Sequence, residues 1–281
     1  MARTMAEMPT IRTMTRADVD LAIGLAAREG WNPGLADADS FYAADPEGFF
    51  VAEVEGHPVG TISAVRYQGD FGFIGLFIVL PEYRGRGYGM ALWRHAMAYL
   101  DGCVVGLDSV LDQEPIYRKA GFVPAYRSVR HAGRGGGSVP PGVVRLDAVP
   151  LAEILRLDRQ CFPAGREPFM RAWINAPGVS GYGVMDGDRL AGFGVIRPCG
   201  EGHKIGPLLA DNASVAGTLL AALAATVPGE QFFLDVIEPN AAAAELARSM
   251  PVVFTTVRMY AGGVPDTDTG RLFGVTSFEL G

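Results

Sequence analysis

The period of the apolar positions changes several times along the chain, and each change marks an element. Phe71 to Leu80, FGFIGLFIVL, is a nearly continuous apolar run, which suits a strand buried on both faces. Pro81-Glu82-Tyr83 ends it, because proline cannot donate into a ladder. After Arg84-Gly85-Arg86-Gly87-Tyr88-Gly89, the residues Leu92, Trp93, Ala96, Met97 and Leu100 recur at helical spacing from Met90 onward. Upstream, Thr10 to Met14 reads as a short strand. Thr15 then caps a helix whose apolar face is Val19, Leu21, Ala22 and Leu25. Glu29 to Gly34 breaks that helix, and Asp39-Ser40-Phe41-Tyr42 starts a second, short one. Phe49 to Val54 and Val59 to Tyr67 are strands joined by a hairpin turn at Glu55-Gly56-His57-Pro58. Downstream, Cys103 to Leu107 is another buried strand, Ile116 to Ala120 a short helix, and Gly121-Phe122 opens a last strand running to Arg130.

Gly133 to Gly142, GRGGGSVPPG, is too rich in glycine and proline for regular structure and reads as a linker. Beyond it the pattern repeats. VVRLDAVPLAEILRLDRQCF echoes TIRTMTRADVDLAIGLAAREGW, and GYGVMDGDRLAGFGVIRP echoes GFFVAEVEGHPVGTISAVRY. FFLDV matches VVGLDSV, and FTTVRMYAGG matches YRSVRHAGRG, so that Asp235 repeats Asp108 and Arg258 repeats Arg130. A repeat this long signals duplication. The expectation is two domains, 1–132 and 143–281, joined by the linker 133–142, which 281 residues can accommodate.

Composition adds limits. With 49% hydrophobic residues there is ample material for two cores, and a net charge of −7 argues against nucleic acid as the main partner. Acidic balance favours the approach of a cationic substrate. The three cysteines, Cys103, Cys161 and Cys199, show no paired spacing, which suits a reduced, cytoplasmic protein. MARTMAEMPTIRTM lacks the apolar core of a secretory leader, and no run reaches the length of a membrane span, so no membrane partner is expected. His57, His95, His131 and His203 share no spacing, and no metal site is expected.

A strand, a glycine turn and a helix N-terminus in that order make an anion site, because bare N–H groups and the positive end of the helix converge there. A P-loop would need Gly-Lys-Ser/Thr, and a dinucleotide fingerprint would need wider glycine spacing than 85, 87 and 89. Arg84, Gly87 and Gly89 instead fill Arg/Gln-x-x-Gly-x-Gly. With the preceding strand and element order, residues 10–132 resemble the GNAT superfamily of N-acetyltransferases. The resemblance implies an α/β (α+β) fold, here twice over, each copy a mixed, mostly antiparallel twisted sheet flanked by helices.

It also implies acetyl-CoA as acyl donor. Phe77, Ile78 and Val79 would offer backbone groups to the pantetheine arm, and Arg84, Gly85, Arg86, Gly87, Tyr88, Gly89 and Met90 would wrap the pyrophosphate. Tyr117, in IYRKAGF, matches the family tyrosine that protonates the departing thiolate, with packing as its alternative role. Where relatives carry an asparagine seven residues earlier this chain has Val110, and Gln113 could take over that contact. No carboxylate lies on the central strand, so Asp108 is the candidate base, unless it caps the helix of Tyr117. Trp31 and Asn32 fall where the family frames its acceptor; the tryptophan is either a substrate wall or a core plug. Arg66, Tyr67, Arg127 and Arg130 are further candidates for that cleft. In the second copy, Asp211-Asn212-Ala213-Ser214-Val215-Ala216-Gly217 replaces the glycine loop, its acidic start would repel a pyrophosphate, and Ala247 stands at the tyrosine position.

The resulting expectation is acetyl transfer to a primary amine, small molecule or peptide, by direct attack. Two other readings stay open: an acyl-CoA-binding module without turnover, and a protein lysine acetyltransferase docking through the second copy. A homodimer stays open as well.

Overall fold

In the first half the period changes fall close to the element boundaries. β1 (Thr10–Thr13), α1 (Arg16–Arg28), α2 (Asp37–Ala44), β2 (Phe49–Val54), β3 (His57–Tyr67), β4 (Phe71–Val79), α3 (Tyr88–Tyr99), β5 (Val104–Val110), α4 (Glu114–Lys119) and β6 (Val123–Arg134) follow in order. The computed structural model describes residues 8–281; residues 1–7, the start of the segment read as unlike a secretory leader, lie outside the described residues. Thr15 caps α1 through a capping box, its hydroxyl accepting from the Asp18 N–H while the Asp18 carboxylate accepts from the Thr15 N–H. The β2–β3 hairpin is tighter than expected. Its loop is Glu55 and Gly56 alone, with φ of 52° and 76°, and His57 and Pro58 already belong to β3.

The second half contributes β7 (Val143–Arg145), α5 (Leu151–Cys161), α6 (Glu167–Ile174), β8 (Ser180–Asp186), β9 (Arg189–Pro198), β10 (His203–Ala210), α7 (Ala213–Ala224), β11 (Gln231–Ile237), α8 (Ala241–Leu246) and β12 (Val252–Ala261). One more strand, β13 (Leu272–Gly274), has no counterpart in the first half.

All these strands join a single sheet, ordered β1-β2-β3-β4-β5-β12-β6-β11-β10-β9-β8-β7, with β13 added to β10. Among the described residues, only β4–β5 and β10–β11 pair in parallel. The last strands of the two halves are exchanged: β12 lies between β5 and β6, and β6 between β12 and β11. Read from either end, the order is the same under the repeat.

Charge pairing accompanies the exchange. Arg130 on β6 stands opposite Asp235 on β11, and Arg258 on β12 opposite Asp108 on β5. Each arginine donates from Nε and Nη2 to both carboxylate oxygens, at 2.7 and 2.8 Å in one pair and 2.9 and 2.6 Å in the other. Burial opposes the charge on Asp235, but the Arg130 guanidinium outweighs it and holds that carboxyl below its ordinary value. A buried pair of this kind contributes specificity more than stability, yet losing one partner strands the other charge. Asp235→Ala is therefore expected to destabilise the fold by about 3–5 kcal/mol, read as a lower urea midpoint. The Asp235→Leu/Arg130→Met double variant should recover much of that loss.

The glycine-rich stretch is not a free tether. Gly133 and Arg134 still belong to β6, and a side chain at Gly133 would collide with the Phe232 ring. The Gly135 and Gly136 N–H groups donate to Glu230 and Ala224 of the second half. Close backbone approach accounts for glycine here as well as any need for flexibility does.

Helices α1, α2, α5 and α6 cover one face over a core shared by both halves, where the Phe41 and Trp173 rings stack at 6.1 Å. On the other face α3 packs over β2 to β5 and α7 over β8 to β10. Among the described residues no helix is long and apolar enough to cross a membrane.

Candidate active site

The site begins where β4 leaves its neighbour. β4 pairs with β5 only through Phe71–Ile74. Between Gly75 and Ile78 the register against β3 shifts, and Leu76 takes φ of 46° while fully buried. That conformation is costly for a leucine; the Thr61 hydroxyl, donating to the Leu76 carbonyl at 2.9 Å, helps hold it. A bulge re-aims the peptide groups that follow. Ile78 and Val79 stay paired to β3 on one side, and among the described residues no strand pairs with the other edge of Phe77, Ile78 and Val79. That edge offers backbone donors and acceptors to an extended ligand.

Beyond a single 3-10 turn, Pro81–Tyr83, the glycine loop delivers the chain to α3. Gly85 and Gly87 have φ of 75° and 89°, the left-handed region that glycine enters without strain. Gly87 is the N-cap of α3 and supplies no side-chain hydrogen bond, so the first-turn N–H groups at Tyr88, Gly89 and Met90 face outward without a cap. The arginines act differently. Arg84 donates to the Val79 carbonyl at 2.8 Å and pairs with Glu29 at 2.6 Å; Arg86 donates to the Glu82 carbonyl and lies over the Tyr83 ring. Both brace the loop, which leaves the backbone N–H groups as the donors open to an anion. Tyr88 is buried beside Tyr83, whereas Met90 is exposed.

Tyr117 reaches the same region from α4. Its ring packs on Trp93 at 5.6 Å and Phe122 at 6.2 Å, and Trp93 in turn lies 5.9 Å from Phe77. One indole thus separates the tyrosine from the free strand edge. The Tyr117 hydroxyl has no hydrogen-bond partner among the described residues, and burial pushes its pKa up to about 12. Such a phenol is protonated at neutral pH, the form a proton donor needs. Gln113, at the N-cap of α4, is exposed and makes no capping bond.

Asp108 is differently placed. Burial raises its pKa, the direction that favours a base, but Arg258 already holds both oxygens. Geometry precedes pKa in choosing a base, and here it withholds the carboxylate. Nor does Asp108 cap α4.

Trp31 and Asn32 lie against the second half. The Asn32 side chain donates to the Glu201 carbonyl and accepts from the Glu201 N–H at 3.0 and 2.9 Å, so it serves as a tie between halves. The Trp31 ring is half-buried, and its carbonyl accepts from Arg130 and from Lys204 at 3.2 and 3.1 Å. Tyr67 is buried with its hydroxyl on the Leu280 carbonyl; Arg66 and Arg127 are exposed. Among the described residues no cluster of His, Cys, Asp and Glu could hold a metal.

Comparisons with known proteins bear on the family and the fold. The acetyltransferase (GNAT) family model matches residues 18–122, and the acetyltransferase (GNAT) domain model matches residues 154–274. The holothin acyltransferase of Pseudoalteromonas sp. (strain SANK 73390) is 32% identical over 261 residues, 91% of this chain and 89% of that protein. The chain belongs to the GNAT acetyltransferase family. Among solved structures, a candidate acetyltransferase from Pyrococcus horikoshii aligns with TM-score 0.83 at 23% identity, over 98% of this chain and 96% of the other. A tandem GNAT protein from the clavulanic acid biosynthesis pathway aligns with TM-score 0.61 at 17% identity, over 92% and 100%. Both likenesses concern the fold.

The second GNAT copy has its equivalent places occupied by its own chain. Asn212 caps α7 by accepting from the Val215 N–H, and Asp211 pairs with Arg189 and Arg271. Along β10, Leu208 and Leu209 repeat Phe77 and Ile78, and β13 pairs with both through Gly274 and Leu272. A strand of the protein lies where the first copy leaves an edge free. Ala247 is buried at the tyrosine position. Nothing in the three residues Leu272–Gly274 marks them as a strand, so the sequence carried no signal of this insertion.

Proposed function

We propose that the protein transfers an acetyl group from acetyl-CoA to a primary amine, and that the first half alone binds the acyl donor. The observation that carries this is one juxtaposition: an uncapped α3 N-terminus, a free strand edge at Phe77–Val79, and the unpartnered Tyr117 hydroxyl one ring away. The α3 turn would hold the pyrophosphate and the strand edge the pantetheine amides. Backbone N–H past the Leu76 bulge would polarise the thioester carbonyl. The acceptor amine attacks that carbon directly, the carbon–sulfur bond breaks, and Tyr117 gives its proton to the thiolate.

A screen of amines with acetyl-CoA, followed by release of free thiol, tests the activity. The relative is named a holothin acyltransferase and its name specifies no acyl group, so longer acyl-CoAs belong in the same screen. Donor binding without turnover on any amine, or turnover only on a folded protein substrate, would replace this reading with one of the two others. Tyr117→Phe keeps the ring and removes the proton: kcat should fall about 10²-fold or more with donor affinity little changed. Unaltered turnover would leave Tyr117 a packing residue.

A further inference from the structure

The segment after β13 has no counterpart in the first copy, yet it is buried from Val275 to Gly281. It crosses from the second half to the first along the seam of the sheet. Val275 N–H donates to the Asp235 carbonyl, and Phe278 lies under the Arg130 guanidinium at 4.9 Å. Arg166 donates to the Thr276 hydroxyl and to the Gly281 main-chain oxygen, both at 2.9 Å, and Tyr67 donates to the Leu280 carbonyl at 3.0 Å. The segment is fixed at several points.

It meets the two central strands at repeated positions. A Cβ on Gly206 of β10 would collide with the Val275 carbonyl oxygen, and one on Gly75 of β4 with the Glu279 carbonyl oxygen. Gly75 is where β4 parts from β5, one residue before Leu76. Glu279 therefore sits at the bulge that opens the first-half site.

Its side chain is anomalous. Glu279 is 3% exposed, its carboxylate takes part in no ion pair or hydrogen bond among the described residues, and Oε2 is fully enclosed without a partner. A buried carboxylate left so is expensive unless something else meets it. Its charged surroundings are Asp108 from β5, Arg130 from β6 and Lys204 from β10. Asp108 and Arg130 are already bound to Arg258 and Asp235, and Lys204 donates to the Trp31 carbonyl. Arg197 Nη1, another group near Lys204, is likewise enclosed without a partner. Glu279 Oε2 is thus a buried acceptor that the chain itself leaves unmet, the condition of a group that meets a polar ligand.

We propose that Glu279 is the general base of the first-half site, receiving the proton of the acceptor ammonium before the amine attacks. The assignment rests on the acyl-transfer function proposed above and supplies the base that β4 lacks. From ammonium to amide the nitrogen loses two protons. Glu279 takes the first and returns it to solvent. The second, on nitrogen after attack, replaces through solvent the one that Tyr117 gives to sulfur. Coenzyme A leaves as free thiol, and one proton is released overall.

Glu279→Gln keeps the shape and removes the base. With acetyl-CoA and an alkylamine acceptor at pH 7, kcat/KM should fall about 10²-fold or more, with acetyl-CoA affinity by calorimetry unchanged. The deficit should narrow as pH rises toward the amine's own pKa. Glu279→Asp retains a carboxylate and should lose less while keeping the acidic limb of the pH profile. The wild-type protein offers a check independent of any variant: an aromatic amine, neutral at pH 7, should show no such limb. Glu279→Gln activity within about twofold of wild type at pH 7, or losses equal at every pH, would remove Glu279 as base and leave acyl transfer standing. A wild-type protein that acylates no amine would end both readings together.

Discussion

A chain ending at residue 140 is expected to be lost to the insoluble fraction. The exchanged strands are the reason. β6 is flanked on both sides by strands of the second half, β12 and β11, and β5 has β12 as its outer neighbour. Without residues 143–281, β6 has neither neighbour and β5 becomes an exposed edge, an invitation to pairing between chains. The face that carries Phe41, Phe73 and Tyr67 also loses Trp173, Phe162 and Leu280, leaving an apolar patch too large for a soluble monomer. Solubility, circular dichroism and sedimentation of the truncated chain measure this. If it is instead soluble with impaired acceptor use, β6 has returned to β5 and the loss traces to the missing C-terminal segment. A soluble monomer with full activity would show that the second half contributes nothing to the first.

Replacing one glycine should have an effect as large, confined to ligand binding. Gly87→Glu is expected to reduce acetyl-CoA binding from one equivalent per chain to none detectable by calorimetry. A Cβ at this position meets nothing within 4 Å, so the fold accepts the side chain. The backbone at φ of 89° penalises any residue but glycine, by about 1–2 kcal/mol. A drop of a few degrees in thermal midpoint accompanies that. The glutamate places bulk and negative charge at the uncapped turn where the pyrophosphate would bind. Unchanged affinity in the folded variant would overturn the assignment of the loop. Two equivalents in the wild type would show that β13 does not close the second site.

Much of this architecture was legible because local pattern encodes it. The central strand, the glycine turn and α3 each follow from period and from the φ values that glycines 85 and 87 must adopt. The repeat was visible too, down to Asp108/Asp235 and Arg130/Arg258. What the repeat concealed was who pairs with whom. β6 and β12 carry the same arginine, and β5 and β11 the same aspartate, so pairing within a half and pairing across halves look identical in one dimension. The exchange is a choice between two equally satisfied ladders and left no trace in composition. Asn32 stood out only through the resemblance, as an acceptor residue; its left-handed position at φ of 53° and its partner Glu201, far along the chain, left no mark in the sequence. β13 and Glu279 belong to a segment outside the repeat, whose short length gives periodicity nothing to act on.

The exchanged strands also bear on synthesis. β5 emerges from the ribosome early, but its neighbour β12 is made only after nearly the whole second half. At ordinary elongation rates that interval is on the order of ten seconds. During it the first half has its helices and its glycine turn but an unfinished sheet, so it cannot close as a unit ahead of the second. The half that holds the glycine turn is thereby completed only after β12, a strand synthesised long after it.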